Sequence, residues 1–234
     1  MISVCMASFN GERYIRQQID SILQQLGDGD ELVISDDGSC DATADIIRSY
    51  ADLRLRFFCN PGPHGVTHNF QYALRQAQGD ILFLADQDDV WLPGKIERQV
   101  RFLVEGGYDV VSCNCALTDA ELNIVQPRYY HGRWNPLRPW WCNFVKDAWL
   151  GCCMALRREA VLRTMPFPPR VATHDMWMAL YAQRHLRCGF QDEVLQLYRR
   201  HDATASFAGG RSTNSFRYRI SYRAYLLWHL LLRR

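Results

Sequence analysis

Ile81-Leu82-Phe83-Leu84-Ala85-Asp86-Gln87-Asp88-Asp89 runs an apolar strand directly into three carboxylates within four positions. Like charges packed in one turn raise each other's pKa unless a cation or hydrogen-bond donors offset the repulsion. Oxygen ligands favour Mg²⁺ or Mn²⁺, and Mg²⁺ commonly completes its shell with substrate phosphates and water. Taken alone, the cluster also reads as an ordinary solvated turn. Its neighbours in the chain give it a context.

Working outward, strand and helix alternate. Ile2 to Met6 reads as a buried strand, and Ile15, Ile19, Ile22, Leu23 and Leu26 follow at helical spacing. Glu31 to Ser35 is the second expected strand, and Ala42 to Tyr50 a helix with Asp41 available to cap it. Leu53 to Phe58 reads as a strand, Pro61 to Gly65 as a loop, Val66 to Gln78 as a helix. After Ile81 to Leu84 come a helix over Pro93 to Glu105, with Pro in its first turn, and a strand over Val110 to Cys113. This alternation predicts an α/β fold: a mostly parallel sheet with helices on both faces and ligands at the carboxyl ends of its strands. Beyond residue 126 the sequence turns to Pro, Trp and Arg; Met176 to Leu186 reads as a helix, Val194 to Tyr198 as a strand, and Phe216 to Leu232 as a terminal helix.

Each polar cluster of the first half follows a predicted strand: Ser8-Phe9-Asn10, Asp36-Asp37-Gly38-Ser39, then Asp86 to Asp89. In a parallel sheet these loops share one edge. Asp37 and Asp86 are thereby placed to meet a nucleotide base and ribose, with Asp88 on a metal at the diphosphate.

Charge divides along the chain. Residues 1 to 126 hold 9 Lys and Arg against 19 Asp and Glu, whereas residues 127 to 234 hold 18 against 6. An acidic half suits metal and phosphate chemistry, and a basic half suits phosphates or an anionic membrane face. No nucleic-acid motif occurs, so no nucleic-acid partner is expected. The nine cysteines lack paired C-x-x-C spacing, and with no leader before the strand at Ile2 they point to reduced thiols in the cytoplasm. The run Ala224 to Leu232, interrupted by His229, is too short to span a bilayer. Arg217, Arg219, Arg223, Arg233 and Arg234, interleaved with aromatic residues and Leu, make residues 215–234 a basic amphipathic helix. Such a helix either contacts an anionic membrane peripherally, on the inner face of the cytoplasmic membrane, or docks on the protein's own core.

Six pieces together resemble the family 2 glycosyltransferases: Val4-Cys5-Met6-Ala7-Ser8-Phe9-Asn10-Gly11, Ile34 to Ser39, Ala85 to Asp89, Gly151-Cys152-Cys153-Met154, His174-Asp175-Met176-Trp177 and Tyr198-Arg199-Arg200-His201. The resemblance implies a GT-A fold over 1–214, with a nucleotide-sugar half (1–126) and an acceptor half (127–214). It implies inverting transfer from a nucleotide-diphosphate sugar, dTDP-rhamnose or a UDP-sugar, to a saccharide or lipid-linked saccharide in bacterial surface polysaccharide assembly. Asp37 takes the base, Asp86 the ribose, Asp88 the metal and Asp175 the catalytic base. Ala7, Ser8 and Asn10 join the donor site. Gly151 and Cys152 border the acceptor pocket, Gly151 allowing a sugar to approach closely. Trp177 is expected to stack on a sugar ring, Arg199 to reach substrate, and His201 to complete the metal shell. His174 stands where many members have Glu, as in a rhamnosyltransferase-like subgroup, and Asp202-Ala203-Thr204 stands where many have Gly-Asn-Asn.

Independently of the resemblance, inverting transfer needs a base at the attacking hydroxyl and a cation on the departing diphosphate. Asp175, at a helix start, fits the base. A sugar-phosphate nucleotidyltransferase is the rival enzyme, disfavoured because no Gly-rich phosphate loop follows the first strand; a non-catalytic carbohydrate-binding scaffold is the other alternative.

Overall fold

A computed structural model describes residues 1–201 and 216–233. Strands β1 (Ile2–Ser8), β2 (Glu31–Asp36), β3 (Leu55–Cys59) and β4 (Ile81–Asp86) pair in the order β3-β2-β1-β4, all parallel. Helices α1 (Ile15–Leu23), α2 (Thr43–Arg48) and α3 (Val66–Gln76) supply the crossovers. Alternation along the strands splits the core between two faces: Val4, Met6, Phe83 and Ala85 pack with Ile15, Ile19 and Ile22 of α1, while Cys5, Leu82 and Leu84 pack with Phe70 and Leu74 of α3.

Beyond β4 the sheet is mixed. After the two-residue β5 (Val90–Trp91) and α4 (Lys95–Glu105), strand β6 (Val110–Thr118) returns one strand's width from β4. The gap is filled by β8 (Met154–Arg157), antiparallel to both. The short β7 (Ile124–Gln126) pairs with β6; β9 (Cys188–Arg199) pairs parallel to β6 and antiparallel to β5. Alternation captured only the Val194 to Tyr198 part of β9, because the register shifts near Cys113 and Asn114 interrupt the period-two pattern. Strand β8, four residues between a 3-10 turn (Gly151–Cys153) and α6 (Arg158–Thr164), is too short to show a period.

The remaining helices are α5 (Trp140–Val145), α7 (His174–His185) and α8 (Phe216–Leu232). Helix α8 docks through Leu226 and Leu230, both essentially fully buried in the core that contains Trp177 and Tyr181 of α7. Arg223 donates to the carbonyls of Phe144 and Val145, and Arg233 to those of Thr164 and Pro166. Of the two placements open to this helix, these two arginines take the one on the protein itself, because carbonyls at the ends of α5 and α6 lie within their reach. The side chains of Arg217 and Arg219, residue Arg234 and the segment Asp202-Ala203-Thr204 lie outside the described residues. On the opposite side of α8, Ile220, Ala224, Trp228 and Leu231 recur at helical spacing and are exposed. No helix among the described residues is long and apolar enough to cross a membrane.

Candidate active site

Register brings the three strand ends together: Ser8 lies opposite Asp36, and Ala7 opposite Asp86. A cavity of about 440 Å³ opens there, lined among others by Ala7, Ser8, Asp37, Asp86, Asp88, His174 and Asp175. Phe9, Gly65, Val66, Asn69, Phe70, Gln87, Thr173 and Tyr198 complete the wall.

The adjacent Asp36 and Asp37 are separated by structure. Asp36 accepts from the Ser8 and Ser39 hydroxyls and from the Gly38 and Ser39 amides, which closes the turn after β2. Asp37 faces the cavity, taking Asn60 Nδ2 at 2.7 Å, His64 Nδ1 at 3.0 Å and the Gly65 amide at 2.6 Å. It thus fixes the loop that leads into α3 while keeping lone pairs for a ligand. Asn69 of α3 binds the β1 and β2 ends, accepting from Ser35 Oγ and donating to the carbonyls of Ser8 and Ser35.

Around Asp86 to Asp89 the charge is offset from inside. Asp89 is buried and accepts from the Arg199 amide at 3.0 Å and Gln196 Nε2 at 3.2 Å. Burial, then repulsion from Asp88 and Asp86, holds its carboxyl well above the usual range. Burial pushes Asp86 up to about 7, with Asp88 and Asp175 adding to the effect and Cys152 and Lys95 opposing it. Lys95 is fully buried; its ammonium donates to the Cys152 carbonyl at 2.8 Å and to Gln196 Oε1, and lies over the Trp91 ring. Asp88 Oδ2 meets His201 Nε2 at 2.9 Å, and His201 packs on Tyr14. Donor atoms of Asp86, Asp89 and Cys152 fall within 4.8 Å of one another.

Helix α7 closes the cavity. Asp175 sits in its first turn, accepting the Met176 amide at 2.7 Å. The preceding His174 is buried, stacks on Phe70 with ring centroids 3.9 Å apart, and neither ring nitrogen has a hydrogen-bond partner among the described residues. A Cβ on Gly151 would stand 2.9 Å from His174 Nε2 and 3.2 Å from Asp175 Cβ. Asp147 adds another carboxyl, raised well above its usual range by burial and then by Asp175.

Several expected residues take other places. Trp177 is fully buried, donating its indole N–H to the Thr164 carbonyl at 2.9 Å, so no sugar reaches its face. Arg199 is buried as a clamp, bonding the Asp88 and Ala120 carbonyls and Gln17, with its guanidinium over Tyr14. Gly151 allows the close approach of α7, and Cys152 is buried with its sulfur within 4.8 Å of carboxylate oxygens of Asp86 and Asp89. Asn10, at φ 46°, spans two loops: its amide donates to Ser39 Oγ and its side chain accepts from Cys40 N, outside the cavity wall. Lys95, Asn69 and Asp147 were not anticipated. Lys95 and Asn69 fall inside expected helices with no local motif to single them out, and Asp147 stands alone in a Trp-rich stretch.

Comparison with known proteins bears on this geometry. Residues 3–163 match the family model described as Glycosyl transferase family 2. UDP-Glc:alpha-D-GlcNAc-diphosphoundecaprenol beta-1,3-glucosyltransferase WfgD of Escherichia coli is 24% identical over 81% of this chain and 74% of its own length. An uncharacterized glycosyltransferase of Haemophilus influenzae is 33% identical over 54% of this chain and 51% of its own, so the chain spans about half of that relative. The structure of S. aureus TarS 1-349 in complex with UDP-GlcNAc superposes with a TM-score of 0.73 at 19% identity, covering 97% of this chain and 66% of that one.

Burial holds His174 below the ordinary histidine value of 6.5, against the pull of Asp175. The unfolded chain therefore takes up this proton first, so the stability carried by neutral His174 is present above pH 6.5 and is lost as pH falls toward the lower folded value. Urea denaturation from about pH 7.5 to about pH 5.5 should show wild type losing more stability than His174→Gln. Equal losses in both proteins would assign the acid sensitivity to another group.

Proposed function

The chain belongs to glycosyl transferase family 2, and we propose from that membership and the cavity at the strand ends that it moves a sugar from a nucleotide-diphosphate donor to a saccharide acceptor with inversion. The observation that carries this reading is the meeting of Asp37, Asp86, Asp88 and Asp175 around one cavity. Asp37 and Asp86 receive the base and ribose, beside Ala7 and Ser8. Residues 1–126 supply this donor side and residues 127–214 the acceptor side. The names of the WfgD and TarS relatives favour a UDP-linked hexose over dTDP-rhamnose, and that of WfgD favours a lipid-linked acceptor in polysaccharide assembly. A panel of nucleotide sugars with Mn²⁺ or Mg²⁺, scored for nucleotide release, tests the reading; release from none of them overturns it.

The residues present suit a divalent cation. Asp88 and His201 offer oxygen and nitrogen donors 2.9 Å apart, and Asp86 beside them is a carboxyl that burial and neighbouring charge hold up to about 7. Asp88 and His201 would hold the ion, whose charge offsets that of the departing diphosphate. Asp175 takes the proton of the acceptor hydroxyl as oxygen attacks the anomeric carbon, and the single displacement requires no second carboxylate.

Asp88→Asn is expected to abolish most turnover, and Mn²⁺ is expected to raise the Tm of wild type but not of this variant. A similar Mn²⁺-dependent rise in both proteins would place the cation elsewhere. Asp175→Asn should lower kcat at least roughly 10²-fold with UDP affinity little changed by calorimetry. Collapse of UDP affinity with normal turnover would move Asp175 into the nucleotide site.

With Arg223 and Arg233 turned inward, membrane contact at the cytoplasmic face rests on the outer stripe of α8, where Ile220 is 53% and Trp228 62% exposed. Apolar insertion depends weakly on salt, unlike screened attraction between charges. Sedimentation with liposomes should therefore show binding that survives high salt and falls in Trp228→Ala. Binding unaffected by that substitution, or none to any lipid, would leave α8 as a helix docked on its own core.

A further inference from the structure

The segment that delivers His174 and Asp175 to the cavity is held mainly by side chains. Between α6 and α7, Phe167 and Val171 are buried against the core. The amides of Arg170 and Ala172 donate to the hydroxyls of Tyr225, at 3.2 Å, and Tyr222, at 2.8 Å, both on α8. From the other side, Thr67 Oγ1 of α3 donates to the Ala172 carbonyl at 3.1 Å, and the Phe167 amide donates to Gln71 Oε1 at 2.5 Å. Ala172 is thus gripped at N–H by α8 and at C=O by α3, two residues before His174. Thr67 neighbours Val66, while Asn69 and Phe70 stand on the same helix; all three line the cavity.

We propose that Tyr222 and Tyr225 are positioning residues for the transfer step, latching the segment 165–173 so that α7 begins where Asp175 meets the acceptor hydroxyl. The proposal rests on Asp175 acting as the base. A latch made of two hydroxyls leaves the donor side untouched, since Asp37, Asp86 and Asp88 stand on the β2 and β4 loops. Its loss therefore acts on acceptor attack and not on nucleotide binding. Misplacement of a reacting group by about 1 Å is enough to cost orders of magnitude in rate. The tyrosine rings pack beside Leu226 and Leu230, so Tyr→Phe removes the hydroxyls and keeps the apolar body.

The test compares wild type, Tyr222→Phe/Tyr225→Phe and Asp175→Asn. Amide exchange should rise in the peptide spanning 165–177 of the double variant and stay unchanged in the β1, β2 and β4 peptides. With the nucleotide sugar that gives most release, kcat should fall about tenfold. Calorimetry with UDP and Mn²⁺ should keep its stoichiometry and affinity. Unchanged exchange at 165–177, or kcat within about twofold of wild type while Asp175→Asn is inactive, overturns the latch and leaves the base reading standing. A fall in UDP stoichiometry parallel to the fall in kcat also overturns it, because α8 would then simply hold the fold together. Wild-type turnover by Asp175→Asn overturns the base reading itself, separately from the exchange result.

Discussion

Confining three carboxylates to the end of a buried strand is the constraint on which the rest of this structure depends. Asp86, Asp88 and Asp89 repel one another, and burial penalises ionisation of Asp86 and Asp89. The fold answers with groups drawn from distant parts of the chain. Lys95 enters from α4, Gln196 and the Arg199 amide from β9, and His201 from the residues that follow it. Directly after Asp89, Val90 and Trp91 pair antiparallel with Leu197 and Gln196, which brings β9 alongside the acidic turn. Arg199 also bonds the Asp88 carbonyl, Ala120 and Gln17, tying α1, the end of β6 and the acidic turn to one guanidinium.

A second constraint is the approach of α7 to the sheet. The missing side chain at Gly151 lets His174 and Asp175 come within contact of the 3-10 turn, and Phe70 supplies the aromatic face that covers the imidazole. His174 is thereby desolvated with neither nitrogen partnered among the described residues, a costly arrangement in a core. His174 and Asp175 are placed by the same close approach, which the absent side chain at Gly151 permits.

Helix α8 joins this site to the outside of the molecule. Its inner face carries Leu226 and Leu230 into the core, its tyrosines reach the segment before α7, and its outer stripe is apolar and exposed. The arginine-rich composition suggested an electrostatic surface. In the folded chain Arg223 and Arg233, in and just after α8, cap carbonyls at and beyond the ends of α5 and α6, since a guanidinium there gains hydrogen bonds that a solvated position does not offer.

By itself, the sequence determined the four parallel strands, their crossover helices, α8 and the strand-end placement of Asp37, Asp86 and Asp88, because period-two and period-3.6 patterns are local and the carboxyl ends of parallel strands share one edge. The helical start near Asp175 was legible for the same reason. Tertiary structure alone decided which acidic residue of an adjacent pair faces the cavity, as with Asp36 and Asp37. It also inserted β8 antiparallel between β4 and β6, buried Trp177 and Arg199 away from the cavity, and set Lys95 beneath the carboxylates. These outcomes depend on contacts between residues far apart in the chain. A lysine in the first turn of a helix, an arginine at a strand end and a tryptophan on an apolar face look the same in sequence wherever they point. Only the packing of β9, α7 and α8 against the first four strands gives each of them one place.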